Sequence, residues 1–319
     1  MKLTCISVGE LILPKDYNFH LTASAYNFSW YYNGSKLITI LDESKPIIAC
    51  TSKANDKLRM KIYAKDMVED INKNKYIEKL EFILGVNEDL SKFYEIWVKD
   101  PLFHKSYRLL KGFHLRCCNL WNALMIGVCQ QNASFKQGWR MLAMLHKVLG
   151  RRVEVEDWGY TIIPPSPLDV FNAKESQLKS CGLGYRANTI KHIAKYFVDG
   201  MICNENALRY NEGDLIRIKG VGSYTARLAL VLSARKYDLP PIDRWLKRII
   251  SEVYGVKESE VEAMWRNIWG EWSGLAAVLA TIILDAEPLS RALIRIRRGV
   301  TYPLLSDNFM TPLTLWKFI

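Results

Sequence analysis

This chain lacks cysteines spaced for a metal site or for a set of disulfides. The cysteines form an odd set of seven with no CxxC pair: Cys5, Cys50, Cys117, Cys118, Cys129, Cys181 and Cys203. Reduced thiols inside a cell are therefore expected. The five histidines show no metal-ligand spacing either. We expect no metal site built from these residues.

Long apolar runs are also missing, and a secretory leader is not expected. No apolar run approaches the roughly 18 residues that a membrane-spanning helix needs. The start, MKLTCISVGELILPKD, lacks the continuous apolar core and the small-residue cleavage site of a signal peptide. We expect a protein without a membrane partner, located inside the cell in the cytoplasm, nucleoid or nucleus.

Acidic residues are outnumbered by basic ones. The 319 residues include 44 Lys and Arg against 33 Asp and Glu, which gives a formal charge of +11. This balance fits a polyanionic partner, but charge alone leaves an ordinary solvated basic surface equally open. The length is sufficient for two domains, each with its own core.

The residue patterns indicate a β-rich part followed by a helical part. Alternating residues, rich in β-branched and aromatic types, run from residue 19 to about residue 51 and include an Asn33-Gly34 hairpin turn. A charged segment, residues 53–79, leaves strand, helix and mobile connection open. After Asp89 the apolar spacing becomes helical, and Gly150 is placed to end one helix.

The expected fold class is α+β. It combines an N-terminal antiparallel β domain over residues 1–105 with an all-helical domain over residues 106–300. The apolar tail, residues 301–319, is expected to pack back on the β domain. Most tryptophans should be core residues, with one or two at a pocket. A solvated helix end is expected for a basic cluster formed by Arg291, Arg295, Arg297 and Arg298.

Residues 215–248 carry the most informative pattern. Two helices flank the turn Gly220-Val221-Gly222, and a lone carboxylate, Asp243, follows Pro240-Pro241. Two glycines around one apolar residue allow a sharp turn and expose backbone N–H groups at the start of the second helix. Such a helix start attracts a phosphodiester without any side-chain charge.

This pattern resembles the helix-hairpin-helix motif, here over residues 213–232, and the hairpin–Pro–Asp243 order resembles the DNA base-excision glycosylase superfamily. The β-then-helical order is similar to its 8-oxoguanine and 3-methyladenine DNA glycosylase branch, whose β domain is TATA-binding-protein-like. The resemblance implies a monomeric base excision repair enzyme acting on double-stranded DNA that contains a lesion. No cysteine follows Cys203, so the iron–sulfur cluster of some relatives is not expected. Whether a monovalent cation binds at the hairpin stays open.

The resemblance also implies roles in catalysis. Asp243 would stabilise the positive charge that builds on the sugar as the base departs, and could also cap the helix that starts at Arg244. Tyr224 stands where bifunctional relatives carry the lysine that forms a Schiff base. A phenol cannot form that imine, so the implied enzyme is monofunctional and uses water. Lys219 is expected to contact phosphate rather than to act as a nucleophile.

Residues expected at the DNA lie in three segments. The hairpin would bind phosphate through Lys219, Gly220, Val221, Gly222 and Ser223. By resemblance, Asn132 would fill the gap left by an extruded nucleotide, while Tyr185 wedges beside the widowed base and Arg186 hydrogen-bonds it.

The expected base pocket is apolar, with lining residues Ala25, Tyr224, Leu228, Ala277 and Thr281. Its composition favours stacking on an electron-poor alkylated base. Two alternatives remain open: an 8-oxoguanine-type glycosylase with weak lyase activity, and an inactive module that only binds lesions.

Overall fold

The computed structural model describes residues 1–65 and 73–319. Residues 66–72, part of the charged segment left open above, lie outside the described residues. The described strands are β1 Lys2–Ile12, β2 Lys36–Asp42, β3 Ile47–Ala54, β4 Lys57–Ala64, β5 Arg151–Val155 and β6 Gly159–Ile163. The described α-helices are α1 Phe19–Ser24, α2 Lys73–Leu84, α3 Ser91–Trp97, α4 Tyr107–Leu110, α5 Leu120–Gln130, α6 Phe135–Leu149, α7 Pro167–Asn172, α8 Glu175–Ser180, α9 Arg186–Val198, α10 Glu212–Ile216, α11 Ser223–Ala234, α12 Arg244–Tyr254, α13 Val261–Trp269, α14 Ser273–Ile283 and α15 Leu289–Arg297.

The α+β class is confirmed, but the sheet is mixed rather than antiparallel. Its order is β2-β3-β4-β1-β5-β6, and β1 pairs with β5 in parallel through Lys2–Glu154 and Leu3–Val155. The prediction of an antiparallel domain was wrong at this pairing. The β5–β6 hairpin comes from the range assigned to the helical domain and joins the sheet beside β1. The likeness of this sheet to the TATA-binding protein stays a prediction.

The segment of alternating residues that begins at residue 19 starts with a helix and not with a strand. Residues 19–24 form α1, because Asn18 caps the helix by accepting a hydrogen bond from the Leu21 N–H. The Asn33-Gly34 turn is confirmed: an isolated antiparallel bridge joins Tyr32 to Leu37 across it. The charged segment continues β3, contains β4 and, beyond the undescribed residues, opens α2.

The helical domain has an aromatic core. Trp97, Trp121, Trp265 and Trp269 are fully buried, as expected for most of the tryptophans. Gly150 caps the C-terminus of α6, as predicted. Within the described residues no helix has the length and apolar character to cross a membrane.

The C-terminal tail packs on the N-terminal part, as predicted. The Tyr26 N–H donates to Pro312 O at 2.7 Å, and the Ser29 N–H donates to Ile319 O at 2.7 Å. The Trp316 ring packs edge-on against Tyr32 at 4.9 Å between centroids. The tail is therefore fixed beside the segment that follows α1.

The basic helix end is solvated only in part. Arg291, Arg297 and Arg298 are not buried, but Arg295 is, and its Nη1 donates to Asp285 Oδ2 at 2.7 Å. The prediction was wrong for Arg295, because this side chain turns inward to a buried carboxylate.

Candidate active site

A cavity of about 800 Å³ lies between the helical domain, the segment after α1 and the C-terminal tail. Its lining includes Asp243 together with the whole predicted base pocket: Ala25, Tyr224, Leu228, Ala277 and Thr281. These residues come from four separate parts of the chain. Tertiary folding therefore brings the predicted pocket and the predicted catalytic carboxylate to one space.

Asp243 is both a helix cap and a cavity residue. Its Oδ1 accepts a hydrogen bond from the Leu246 N–H at 2.7 Å, at the start of α12. The buried Pro240 and Pro241 precede it. The side chain reaches solvent, yet the surrounding walls partly desolvate it and raise the pKa of its carboxyl. The cap thus holds the carboxylate in a fixed direction at the edge of the cavity.

Tyr224, on the first turn of α11, also lines the cavity. Burial raises the pKa of its phenol, and the negative charge of Asp243 raises it further. The phenol is therefore neutral, and Tyr224 shares the cavity lining with Asp243.

The hairpin has the geometry that its glycines predict. Gly220 adopts φ +92°, and Gly222 caps α11 without any side-chain hydrogen bond to the first-turn N–H groups. Lys219, Gly220, Gly222 and Ser223 are exposed, whereas Val221 is buried and anchors the turn. The exposed start of α11 can thus accept an anion.

Substituting the two hairpin glycines should have unequal effects. A Cβ at Gly220 would lie 2.3 Å from Thr189 Oγ1 and would require a positive φ. Gly220→Ala should therefore lower the free energy of unfolding by about 1–3 kcal/mol and weaken binding to undamaged duplex DNA.

Gly222→Ala is the matched control, because Gly222 has a negative φ and nothing lies within 4 Å of the point that an added Cβ would occupy. Thermal melts should leave this variant unchanged while lowering the melting temperature of Gly220→Ala. Equal melting temperatures for the two variants would contradict the proposed packing of the hairpin.

The loop before α6 is tied to the hairpin by Gln131, which the sequence did not single out as a contact. Its Nε2 donates to Gly220 O at 3.0 Å and to Thr225 Oγ1 at 2.8 Å. Its carbonyl oxygen accepts from Arg186 Nε at 3.1 Å. Gln131 therefore links the Gly220–Gly222 turn to the expected gap-filling loop.

Asn132 and Tyr185 lie next to each other at the surface. Asn132 has φ +45° and is exposed, and its Nδ2 lies 3.3 Å from the Tyr185 hydroxyl. Tyr185 is 57% exposed, while Arg186 is buried and stacks its guanidinium on the Tyr185 ring. The roles of these three residues at a DNA gap remain predictions. The structure itself shows Arg186 holding the loop.

Aromatic residues that the sequence did not assign form one wall of the cavity. Tyr26 stacks on Trp139 with centroids 5.6 Å apart and hydrogen-bonds Thr281 through its hydroxyl. Phe135 and Trp245 also line the space. Tyr26 has φ +50°, but neither this angle nor its contact with Thr281, 255 positions away, leaves a local sequence signal.

The C-terminal tail supplies the opposite rim. Leu304, Ser306, Phe309, Met310 and Thr311 all line the cavity. Phe309 is 57% exposed, so this lining includes an apolar ring that solvent reaches. Within the described residues, no cluster of His, Cys, Asp and Glu could hold a metal ion.

Known proteins share this architecture. Residues 126–273 match the family model described as HhH-GPD superfamily base excision DNA repair protein. A probable N-glycosylase/DNA lyase of Methanothermobacter thermautotrophicus is 21% identical over 252 residues, covering 72% of this chain and 80% of the relative.

Solved structures of two glycosylases have the same fold. The 3-methyladenine DNA glycosylase from Archaeoglobus fulgidus superposes with a TM-score of 0.69 at 17% identity, over 91% of this chain and 98% of that one. The Clostridium acetobutylicum 8-oxoguanine glycosylase/lyase, solved with dsDNA containing cytosine opposite 8-oxoG, gives a TM-score of 0.67 at 16% identity, over 92% and 98% of the two chains.

Proposed function

This chain carries a domain of the HhH-GPD superfamily of base excision DNA repair proteins, and on that premise we propose that it is a monofunctional DNA N-glycosylase. It would bind duplex DNA, extrude a damaged base into the cavity and hydrolyse its N-glycosidic bond. The observation that carries the proposal is the position of Asp243, which caps the start of α12 and lies on the lining of the cavity.

The chemistry follows from that position. As the base leaves, positive charge develops on the sugar, and a carboxylate held nearby stabilises that charge without having to reorganise. The exposed start of α11 can bind a phosphate of the same strand. Asn132 and Tyr185 are proposed to fill the space that the extruded nucleotide leaves in the duplex.

The absence of lyase chemistry is proposed from Tyr224. A lyase needs an amine that attacks the sugar, whereas Tyr224, which lines the same cavity as Asp243, carries a phenol. Among the described residues, Lys136 is the one lysine on the cavity lining, and it is solvent-exposed. We propose that water, rather than Lys136, attacks the sugar.

Duplex oligonucleotides with single lesions test the proposal. The protein should convert lesion duplexes to abasic sites that break only after alkali treatment. Borohydride should trap no covalent complex. Strand breaks without alkali, suppressed in Lys136→Gln, would refute the monofunctional mechanism and identify the amine. Release of no base from any lesion duplex would refute glycosylase function.

Two observations bear on the substrate. The aromatic wall of Tyr26, Phe135 and Trp139 supports the alkylated base that the sequence favours, because electron-poor rings stack well on aromatic faces. The charged residues on the same lining have both signs, so charge does not separate an alkylated base from the second candidate, a base of the 8-oxoguanine type; they are Arg116, Lys136, Arg291, Asp243, Asp285 and Glu287.

A further inference from the structure

Arg227, in the second turn of α11, joins three separate segments through its guanidinium. Its Nε donates to Glu212 Oε2 at 2.9 Å, on the first turn of α10. Its Nη1 donates to Glu262 Oε1 at 2.8 Å, on the first turn of α13, and to Pro240 O at 3.4 Å. The last acceptor belongs to the loop that leads to Asp243. One side chain therefore connects both helices of the hairpin to that loop.

The proline loop, residues 238–242, has few N–H groups with which to bind its surroundings. Pro240 and Pro241 have none, and the Ile242 N–H donates within the loop to Pro240 O at 2.9 Å. Among residues 1–65 and 73–319, Arg227 is the only residue outside the proline loop that donates a hydrogen bond to one of its backbone carbonyls. Besides the burial of the two prolines, this guanidinium is what fixes the loop.

The proline loop connects Arg227 to the cavity. Pro241 and Asp243 line the cavity, whereas Arg227 does not. The bond from the Leu246 N–H orients the Asp243 carboxylate relative to α12 alone. The Arg227 bond holds the preceding loop relative to α11, whose exposed start is at the hairpin. Any effect of Arg227 on base release should therefore act through the proline loop.

Two carboxylates hold the guanidinium in place, and they are buried to different degrees. The side chains of Arg227 and Glu212 are 17% and 19% exposed, whereas that of Glu262 is 42% exposed. Solvent screens the pair with Glu262 more than the pair with Glu212. A neutral side chain at position 262 should therefore leave the guanidinium in place, with its bond to Pro240 O intact.

We propose that Arg227 is a positioning residue for the Asp243 carboxylate, because it fixes the distance between that carboxylate and the start of α11. The inference rests on the proposed glycosylase function and adds to it a residue outside the cavity. A nucleotide whose phosphate is bound at the start of α11 presents its sugar at a fixed place, so a shift of the proline loop moves the carboxylate away from the sugar. A misplacement of about 1 Å can lower a rate about a hundredfold.

Arg227→Gln and Glu262→Gln form a matched pair of variants. Both remove the ion pair between these residues, but only Arg227→Gln also removes the donor to Pro240 O. Single-turnover release is measured on duplexes carrying hypoxanthine, 7-methylguanine or 8-oxoguanine, together with duplex affinity and melting curves. Arg227→Gln should lower the rate at saturating enzyme about tenfold and change the affinity by less than about twofold. Glu262→Gln should keep the wild-type rate, and equal rates for the two variants would overturn the inference.

Combination with Asp243→Asn separates positioning from a general loss of packing. Since Arg227 is proposed to act through the carboxylate, Arg227→Gln should slow the Asp243→Asn chain by less than about twofold. Equal fold losses with aspartate and with asparagine at position 243 would overturn the inference and leave Arg227 a structural role only. Wild-type turnover by Asp243→Asn alone would remove Asp243 from the mechanism, and this inference with it. Release of no base from any duplex would remove the glycosylase proposal itself.

Arg227→Lys provides the test if Arg227→Gln does not fold. Its ammonium keeps a positive charge between Glu212 and Glu262, but one nitrogen does not replace two guanidinium nitrogens that donate to three acceptors. This variant should stay folded and bind duplex DNA as the wild type does, with a rate of base release at least about threefold lower. A folded Arg227→Lys chain with the wild-type rate would overturn the inference.

Discussion

Asp243→Asn is expected to lower single-turnover base release by about 10²- to 10³-fold or more, because it removes the charge that stabilises the sugar cation. Asparagine caps helices as well as aspartate does, so the hydrogen bond from the Leu246 N–H can persist. The fold and the affinity for duplex DNA should therefore be retained. Rapid-quench assays of base release and titrations with labelled duplex measure the two quantities separately.

The pH dependence gives a second measurement on the same carboxyl. Desolvation raises the pKa of Asp243, so its carboxylate is lost, and the rate falls, as the pH drops through a value above that of an ordinary aspartate. A raised carboxyl pKa also means that the fold disfavours the charged form. The free energy of unfolding of Asp243→Asn at pH 7 should thus equal or exceed that of the wild type. Turnover at the wild-type rate in this variant would remove Asp243 from the mechanism.

Arg295→Met should destabilise the protein by about 3–5 kcal/mol, because it leaves Asp285 as an uncompensated buried charge. The Asp285 Oδ2 accepts from Arg295 Nη1 at 2.7 Å and from the Leu304 N–H at 3.0 Å. The Arg295 Nη2 also donates to Tyr302 O. This ion pair therefore holds the start of the tail that lines the cavity, and base release should fall along with stability. Chemical denaturation gives the change in free energy.

The same helix offers a matched control. Arg297 pairs with Glu252 at 2.8 Å, but its side chain is 63% exposed. Arg297→Met should leave the free energy of unfolding nearly unchanged, because solvent screens a surface pair. The double variant Asp285→Leu/Arg295→Met should recover much of the lost stability, since neither member of the buried pair remains. Similar losses in the free energy of unfolding for Arg295→Met and Arg297→Met would show that the buried ion pair stabilises the fold no more than the surface pair does.

The hairpin and its aspartate could be predicted from sequence because their structure is local. Gly220 requires a positive φ and Gly222 starts a helix without a side-chain cap, and both properties follow from the absence of a Cβ. Asp243 caps α12 by bonding an N–H three residues away. Short-range interactions of this kind leave a readable pattern in consecutive residues.

Strand assignment failed where a local pattern competed with tertiary context. Residues 19–24 alternate like a strand, yet the Asn18 cap and burial on several sides make them α1. The charges of residues 151–155 gave no sign that this segment would pair in parallel with β1. Pairing partners about 150 positions apart are selected by the packing of the whole domain, which one segment does not encode.

The sequence alone determined the Gly220–Gly222 turn, the aspartate that caps α12 and the apolar character of the pocket, since each depends on residue type and near neighbours. Only the tertiary structure decided that Tyr26 and Trp139 stack on the lining of the cavity and that Arg295 is buried against Asp285. Whether a charge is solvated, paired or left alone in a cavity depends on which distant segments exclude water from it. That exclusion arises only when the chain is folded.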